Sequence, residues 1–285
     1  MSMNTLNLRN GGILAGLPYS TSEYEYRGAK HFWKTIDAEV NLLDHDKTGD
    51  RSQYVIFTHL PEQKFLEEID SEEFKFFDSY DPEFEILLLK MPTKAHELLS
   101  EEFAAELIAK FALEGMNDAR RGLFQLGHAR VDLPSRRKEP DKSYQPETLP
   151  AGRTDHFPSF IIETGFSESL GKLRNNATLW VTESSGDVKI ALLMSTSKKT
   201  KGIVFEIFQP GHHRFTRGHP ARVVAELKQK ATVKTDKDGQ VVADGRLRIP
   251  FEDLFLRRPI SPEKDLIFSE GDLIFIARKV WSSQF

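Results

Sequence analysis

The chain lacks cysteine entirely, with none among its 285 residues. This absence excludes a disulfide scaffold, a thiolate zinc site and a cysteine nucleophile. Apolar runs of the roughly 18 residues needed to cross a bilayer are also missing, because stretches such as residues 86–89 are soon interrupted by charge. The first residues lack the basic start and apolar run of a secretory signal. We therefore expect an intracellular protein, of the cytoplasm or nucleus, with no membrane partner.

The composition provides enough apolar residues for a core but no excess of positive charge. Hydrophobic residues make up 39% and charged residues 29%, with 39 Lys and Arg against 43 Asp and Glu, for a net charge of −4. This mixture is typical of a folded chain with one large domain or two small ones. The whole-chain charge offers no general attraction to nucleic acid, so a nucleic-acid partner requires a local site.

The charge is unevenly distributed along the chain. Acidic residues dominate the stretch 62–85, which we predict to be a solvated face. Basic clusters occur at residues 120–121, 136–138 and 198–201, beside the predicted strands of the later part of the chain. They are either phosphate contacts or solvated loops.

The clearest helix signal is an apolar stripe in which Leu99, Phe103, Leu107 and Phe111 recur every four residues. This spacing predicts a helix over residues 94–114. Strands are predicted at 54–58, 84–89, 123–133, 159–165, 188–194 and 203–208. A second helix is predicted at 169–182, and a hairpin across 222–249. Residues 265–268 and 272–277 are predicted to be apolar strands or a short element, and residues 134–157 a loop around one short extended piece.

The order of these elements predicts a mixed α/β (α+β) fold, with a central mixed sheet flanked by helices. We assign residues 83–285 to this main domain. Residues 1–82 show a weaker pattern and are predicted to form an N-terminal extension that packs on the core.

An acidic residue within an apolar strand is the strongest chemical signal. Glu163 is surrounded by Ile161 and Ile162 in sequence, and an unpaired carboxylate is costly to bury, so it should meet a cation, a hydrogen-bond donor or a metal. Asp141, just upstream after Pro140, offers a second oxygen ligand of the kind that Mg²⁺ prefers. In the alternative interpretation, Asp141 caps a turn and Glu163 pairs with a buried Arg or Lys.

At these residues the sequence resembles the PD-(D/E)XK nuclease superfamily, which has the restriction-endonuclease-like fold, and within it the bacterial Uma-type branch and its expanded fungal relatives. The resemblance implies that Asp141 and Glu163 bind Mg²⁺ or Mn²⁺, with the Thr164 carbonyl as a third ligand. It covers roughly residues 84–255 and rests on Pro140-Asp141, on Glu163-Thr-Gly-Phe-Ser-Glu-Ser, on the helix ending near Trp180, on Val188-Lys-Ile and on Ile249-Pro-Phe-Glu-Asp-Leu-Phe.

The sequence departs from the family pattern at Gly165, where the family has a catalytic lysine two residues after the glutamate. Three lysines are candidates to supply the cation instead, namely Lys142, Lys172 and Lys189, and Lys172 on the following helix is favoured. An acidic residue of the first helix often adds a ligand in this fold. Glu97 and Glu106 both qualify for that role here.

The leading hypothesis is therefore metal-dependent hydrolysis of DNA or RNA phosphodiester bonds, with Asp141, Glu163 and Lys172 as catalytic residues. The alternative is a catalytically degenerate protein of the same fold that binds nucleic acid or a protein partner. A small-molecule enzyme unrelated to nucleases is a third reading. The oligomeric state is left open, a homodimer included.

Overall fold

The computed structural model describes residues 12–46, 48–70, 74–91, 93–127, 129–166, 169–197, 199–213 and 222–284. The chain forms two compact units, and the division does not follow a single cut near residue 82. Unit 1 comprises Met1–Thr93, Arg130–Glu139 and Glu168–Lys172, and unit 2 comprises Lys94–Ala129, Pro140–Ser167 and Leu173–Phe285.

Unit 1 is built on a six-stranded mixed sheet. Its strands are β1 (Ser22–Glu25), β2 (Tyr54–Thr58), β3 (Phe77–Asp81), β4 (Ile86–Lys90), β6 (Val131–Asp132) and β7 (Arg137–Lys138), and its helices are α1 (Ala29–Asp44) and α2 (Glu62–Glu68). The strand order is β1-β2-β4-β3-β7-β6. Strands β1 and β2 are parallel, while β2 with β4, and β4 with β3, are antiparallel.

Both faces of the β2–β4 pair are covered, because successive side chains of a strand point to opposite sides. Val55 and Phe57 pack on one side with Phe32 and Ile36 of α1. The alternate residues of the two strands pack on the other side with Ile13, Leu14 and Leu17. This double coverage explains why β2 reads as a continuous apolar run in the sequence, and the predicted strand at 54–58 is confirmed.

The prediction of a solvated face over residues 62–85 is wrong for residues 77–81, whereas residues 82–84 are exposed. Helix α2 is largely exposed, as expected, but all five residues of β3 are buried. Two of them are aspartates with internal partners: Asp78 is paired with Lys138, and Asp81 accepts the backbone N–H groups of Glu83 and Phe84. Charge density alone therefore did not indicate exposure here.

Unit 2 contains a seven-stranded mixed sheet and a two-stranded sheet. The strands are β5 (Leu123–Gln125), β8 (Lys142–Pro146), β9 (Phe160–Phe166), β10 (Ile190–Thr196), β11 (Gly202–His213), β12 (Arg222–Thr235), β13 (Val241–Asp244), β14 (Leu247–Ile249) and β15 (Leu266–Phe268). The larger sheet has the order β13-β12-β11-β10-β9-β8-β5, and β14 and β15 form the smaller one. The helices are α3 (Lys94–Leu113), α4 (Asn117–Arg121), α5 (Leu170–Glu183), α6 (Phe251–Phe255) and α7 (Glu270–Gln284).

Strand β9 is an internal strand of this sheet, antiparallel to β8 and parallel to β10, the middle strand. The parallel pair is connected by α5, as a crossover between parallel strands requires. Strand β10 then pairs antiparallel with β11. These mixed sheets flanked by helices confirm the predicted fold class, and the helix predicted at 94–114 is confirmed as α3.

The core of unit 2 lies between the sheet and two helices. Phe160 and Ile162 of β9 pack against the apolar stripe of α3, which includes Leu99 and Phe103. Apolar residues of α7 complete the same cluster, among them Leu273, Ile276, Ala277 and Val280.

Several predicted elements differ from the structure. The loop with one extended piece predicted at 134–157 contains both β7 and β8, and the hairpin predicted across 222–249 ends with β13, because β14 pairs with β15. Residues 272–277, expected as a strand or short element, lie inside α7, because a short apolar run does not distinguish a strand from a buried helix. The stretch 123–133, expected as one strand, forms β5 in unit 2 and β6 in unit 1.

Within the described residues, no helix is both long and apolar enough to cross a membrane.

Candidate carboxylate site

Asp141 lies immediately before β8 and is fastened to β9 by two hydrogen bonds. Its backbone N–H donates to the carbonyl of Ile162 at 3.1 Å, and its Oδ2 accepts the backbone N–H of Thr164 at 2.5 Å. The same Oδ2 lies 3.3 Å from Nε2 of His96, on the first turn of α3. Asp141 is 9% exposed and His96 is 3% exposed, so this is a buried carboxylate–imidazole pair.

Glu163 is fully buried within β9 and receives hydrogen bonds from α5. Its Oε1 accepts the indole N–H of Trp180 at 2.8 Å, and its Oε2 accepts the side-chain amide of Asn176 at 3.3 Å. The prediction that Glu163 meets a donor, a cation or a metal is met by these two uncharged donors. Their bonds offset part of the cost of burying the carboxylate.

The backbone brings Asp141 beside Glu163. Strands β8 and β9 pair with Lys142 opposite Ile162, so one further step places Asp141 opposite Glu163. The two hydrogen bonds of Asp141 go to Ile162 and Thr164, the residues on either side of Glu163. Opposed residues in an antiparallel ladder have Cα atoms about 4.5–5.5 Å apart. The predicted pair thus comes from adjacent strand positions.

The donors to the two carboxylates come from different helices. Ile162 faces α3, and alternation along the strand turns Glu163 to the opposite face, where α5 supplies its donors. Asp141 receives the imidazole of α3. The donors to the two carboxylates therefore lie on opposite faces of the sheet.

Thr164 contributes its backbone N–H to this arrangement. Its side-chain hydroxyl is buried and has no hydrogen-bond partner among the described residues. The role predicted for its carbonyl as a metal ligand stays a prediction. Gly165 occupies the family's lysine position inside β9, as the sequence indicated.

The sequence analysis missed His96, which binds Asp141. A signal was present, because His96 precedes Leu99 by three residues and Phe103 by seven and so lies on the apolar stripe of α3. The two acidic candidates on this helix are placed differently. Glu97 is close to the imidazole, with its carboxylate 3.5 Å from His96 Nδ1, and Glu106 is partly exposed.

The three candidate lysines have separate surroundings. Lys172 is 2% exposed, belongs to unit 1 and donates to the carbonyl of Ile13 at 2.7 Å. Lys142 forms an ion pair with Glu101 of α3 at 2.5 Å.

The third candidate, Lys189, precedes β10 and donates to the carbonyl of Gly186. Its backbone N–H donates to Ser159, four residues before Glu163. At about 3.3 Å per residue, this places it roughly 13 Å along the strand from Glu163. The catalytic role of Lys172 stays a prediction.

Unit 1 holds a second buried carboxylate, Asp78, which is surrounded by lysines. Lys138 Nζ lies 3.2 Å from Asp78 Oδ1, and Ser79 donates to Oδ2 at 2.9 Å. Burial alone would raise the pKa of Asp78, but the charges of Lys138, Lys172 and Lys90 outweigh it and hold the pKa below its ordinary value. Lys138 was predicted as part of a basic phosphate-contacting or solvated cluster, and the structure instead buries it completely.

The donor set of the site suits a hard cation better than a soft one. Within the described part of the chain, no three His, Asp or Glu side chains converge into a ready cage. Asp141 and Glu163 each offer the oxygen ligands that Mg²⁺ prefers, and this ion is commonly held by one or two carboxylates and keeps several waters. The ion itself, whether Mg²⁺ or Mn²⁺, stays a prediction.

Comparison with known proteins finds no matching family model and no matching curated protein. Among solved structures, the chain is similar to a candidate nuclease belonging to DUF820 from Anabaena variabilis, with 15% sequence identity. The likeness covers 57% of this chain and 83% of that chain, with a TM-score of 0.34. A TM-score this low does not support a conclusion about this chain.

Proposed function

We propose that the protein is a metal-dependent nuclease of the PD-(D/E)XK type, in its Uma-type branch, that hydrolyses phosphodiester bonds of DNA or RNA. The observation that carries the proposal is the attachment of Asp141 to the two residues that flank Glu163. This attachment fixes the backbone of Asp141 beside that of Glu163. The proposal requires that both carboxylates reach one ion.

In the proposed reaction, Asp141 and Glu163 hold one Mg²⁺ or Mn²⁺, and the Thr164 carbonyl is the third protein ligand. A metal so bound activates water and stabilises negative charge on the phosphodiester. The carboxylates bind and orient that ion. A carboxylate oxygen can take part in more than one bond, so the hydrogen bonds from Trp180 and Asn176 do not by themselves prevent ligation by Glu163.

The surrounding side chains orient the two carboxylates. His96 and the Thr164 N–H fix Asp141, while Trp180 and Asn176 fix Glu163. Such partners of metal ligands typically change metal affinity or activity by about 10- to 100-fold when removed.

Lys172 is the proposed source of the positive charge that the family draws from the position of Gly165. Its Nζ donates to the carbonyl of Ile13. Lys172 belongs to unit 1, and both carboxylates belong to unit 2.

The proposal is tested by incubating the full-length protein with supercoiled plasmid, single-stranded DNA and structured RNA in Mg²⁺ or Mn²⁺. We expect cleavage that stops on chelation and falls at least about 100-fold in Asp141→Asn and Glu163→Gln. Glu147→Gln is the matched control, because Glu147 is an exposed carboxylate directly after β8. Folded protein that cleaves none of these substrates would contradict the proposal, as would equal activity in Asp141→Asn.

The second candidate function is a non-catalytic relative that binds nucleic acid or a protein. Two observations favour it: Glu163 is fully buried with a donor on each oxygen, and the catalytic lysine is replaced by Gly165. Binding of the same nucleic acids without cleavage, unchanged by chelation and in Glu163→Gln, would support this function over catalysis.

A further inference from the structure

A cavity of about 410 Å³ lies in unit 2, at the end of the sheet where β9 and β10 begin. Pockets for small ligands typically have volumes of roughly 300–1,000 Å³. Lys189 lines this cavity and is hydrogen-bonded to Ser159, so the cavity lies roughly 13 Å along β9 from Glu163. It is therefore separate from the carboxylate site.

The wall of the cavity is almost entirely charged. Seven of its nine lining residues are ionisable, four basic and three acidic, and only Pro150 and Leu256 are apolar. An apolar ligand would desolvate these groups without pairing them. The wall instead suits a small polar ligand with an anionic part and several hydrogen-bonding groups.

Two of the arginines are held in fixed positions. Arg153, whose side chain is 7% exposed, donates to the carbonyls of Phe157 and Asp187 and is ion-paired with Asp187, while its Nε has no hydrogen-bond partner among the described residues. Arg257 binds Glu263 through both Nη atoms at 2.6 Å.

Rings from the neighbouring α6 also support Arg257, whose guanidinium lies over Phe251 and Phe255. Side chains fixed in this way lose little conformational entropy when a ligand binds.

Further basic and acidic groups line the same cavity. Lys189 and the exposed Arg258 add two positive charges beside the fixed arginines. Consecutive residues of α6, Glu252 and Asp253, supply carboxylates, and Asp253 accepts a hydrogen bond from Gln209 at 2.6 Å.

Asp253 is also shielded from water. Burial raises its pKa above the ordinary value, although Gln209 and Lys189 act in the opposite direction. Such a carboxyl group suits hydroxyl partners, which both donate and accept hydrogen bonds.

We propose that this cavity binds a sugar phosphate, with the phosphate against the Lys189, Arg257 and Arg258 side and the sugar hydroxyls against Glu252 and Asp253. The phosphate belongs either to a free sugar phosphate or to the terminal nucleotide of a nucleic acid. This site does not depend on the proposed nuclease function.

The test is calorimetric titration of the full-length protein with ribose 5-phosphate, with ribose and inorganic phosphate as comparators. We expect saturable binding of ribose 5-phosphate that is at least about tenfold tighter than either comparator. Arg258→Gln and Lys189→Gln should each weaken it by about tenfold. Glu252→Gln should reduce the difference in affinity between ribose 5-phosphate and inorganic phosphate. Arg278→Gln, an exposed arginine of α7 outside the cavity, should change nothing.

The possible results separate the proposal from its competitors. No saturable binding below about 10 mM, or unchanged binding in Arg258→Gln, would overturn it. Equal binding of inorganic phosphate would also overturn it, because the site would then be a general anion site. Competition by a 5′-phosphorylated oligonucleotide, but not by its unphosphorylated form, would support it and identify a nucleic-acid end as the source. Loss of binding in Arg258→Gln with unchanged nuclease activity would show that the two sites are independent.

Discussion

Two buried acidic residues in the two units are stabilised in different ways. Asp78 on β3 is paired with the ammonium of Lys138 and influenced by two further lysines, whereas Glu163 on β9 receives hydrogen bonds from the neutral side chains of Trp180 and Asn176. Both carboxylates are almost completely inaccessible to solvent. Burial of a carboxylate is therefore not by itself a sign of metal binding, and the chemistry of its partners is the more informative observation.

Asp78 has a structural role, whereas the role proposed for Glu163 is catalytic. Lysines that lower the pKa of Asp78 already provide the positive charge that a buried carboxylate needs. The hydrogen bonds from Trp180 and Asn176 orient Glu163, as expected of a metal ligand supported by surrounding side chains. The first site should respond mainly in stability, and the second in metal binding and activity.

The largest effect on stability is expected at the ion pair of Asp78. Lys138→Met removes the ammonium that lies 3.2 Å from the carboxylate and leaves a buried charge without its closest partner. We expect a loss of about 3–5 kcal/mol in the free energy of unfolding. Urea unfolding measures this change. A variant that unfolds at the same urea concentration as the native protein would show that the other lysines suffice.

A smaller effect is expected from the tryptophan that binds Glu163. Trp180→Phe removes the indole donor to Oε1 and should cost about 1–3 kcal/mol, because a buried acceptor loses its partner. Trp281→Phe is the matched control, since the buried indole N–H of Trp281 has no hydrogen-bond partner among the described residues. Equal losses in the two variants would mean that packing, and not the hydrogen bond, accounts for the change.

The pH dependence of stability should report Asp78 directly. Its pKa is lowered in the folded state, so its contribution is present above the unfolded pKa of about 3.9 and is lost as pH falls through the folded value. Asp78→Asn should reduce the slope of the free energy of unfolding against pH, below about pH 4, by up to about 1.4 kcal/mol per pH unit. Asp118→Asn, at an exposed carboxylate, should leave the slope unchanged. The same slope in both variants would refute this assignment.

The smallest effect is expected at a partly exposed ion pair of unit 2. Lys142→Gln removes the contact with Glu101, whose side chain is 59% exposed, and should cost no more than about 1 kcal/mol. Thermal unfolding measures the change. A loss comparable with that of Lys138→Met would contradict the distinction between buried and exposed pairs.

Local patterns in the sequence were sufficient for several parts of the fold. The four-residue spacing of Leu99, Phe103 and Leu107 predicted α3, because that spacing forms one apolar stripe on a helix. The apolar neighbours Ile161 and Ile162 placed Glu163 within a predicted strand at 159–165, which the structure confirms as β9. The same approach failed for residues 272–277 of α7, whose short apolar run fits either a helix or a strand.

The partners of the charged residues could not be predicted in the same way. Lys138 and Asp78 are sixty residues apart in the chain, and the hydrogen bonds of Asp141 and Glu163 come from helices on either side of them in sequence. One sequence provides no information on such long-range pairing. The apolar stripe of α3 did contain a clue to His96, because a histidine among core positions requires a buried partner.

The most direct test of the central claim is the binding of Mn²⁺ to the full-length protein, followed by electron paramagnetic resonance. We predict one bound ion per chain in the native protein, with affinity reduced at least about tenfold in His96→Gln and binding lost in both Asp141→Asn and Glu163→Gln. Glu147→Gln should bind as the native protein does. Unchanged Mn²⁺ binding in Asp141→Asn or in Glu163→Gln would contradict the claim that these two carboxylates share one metal ion.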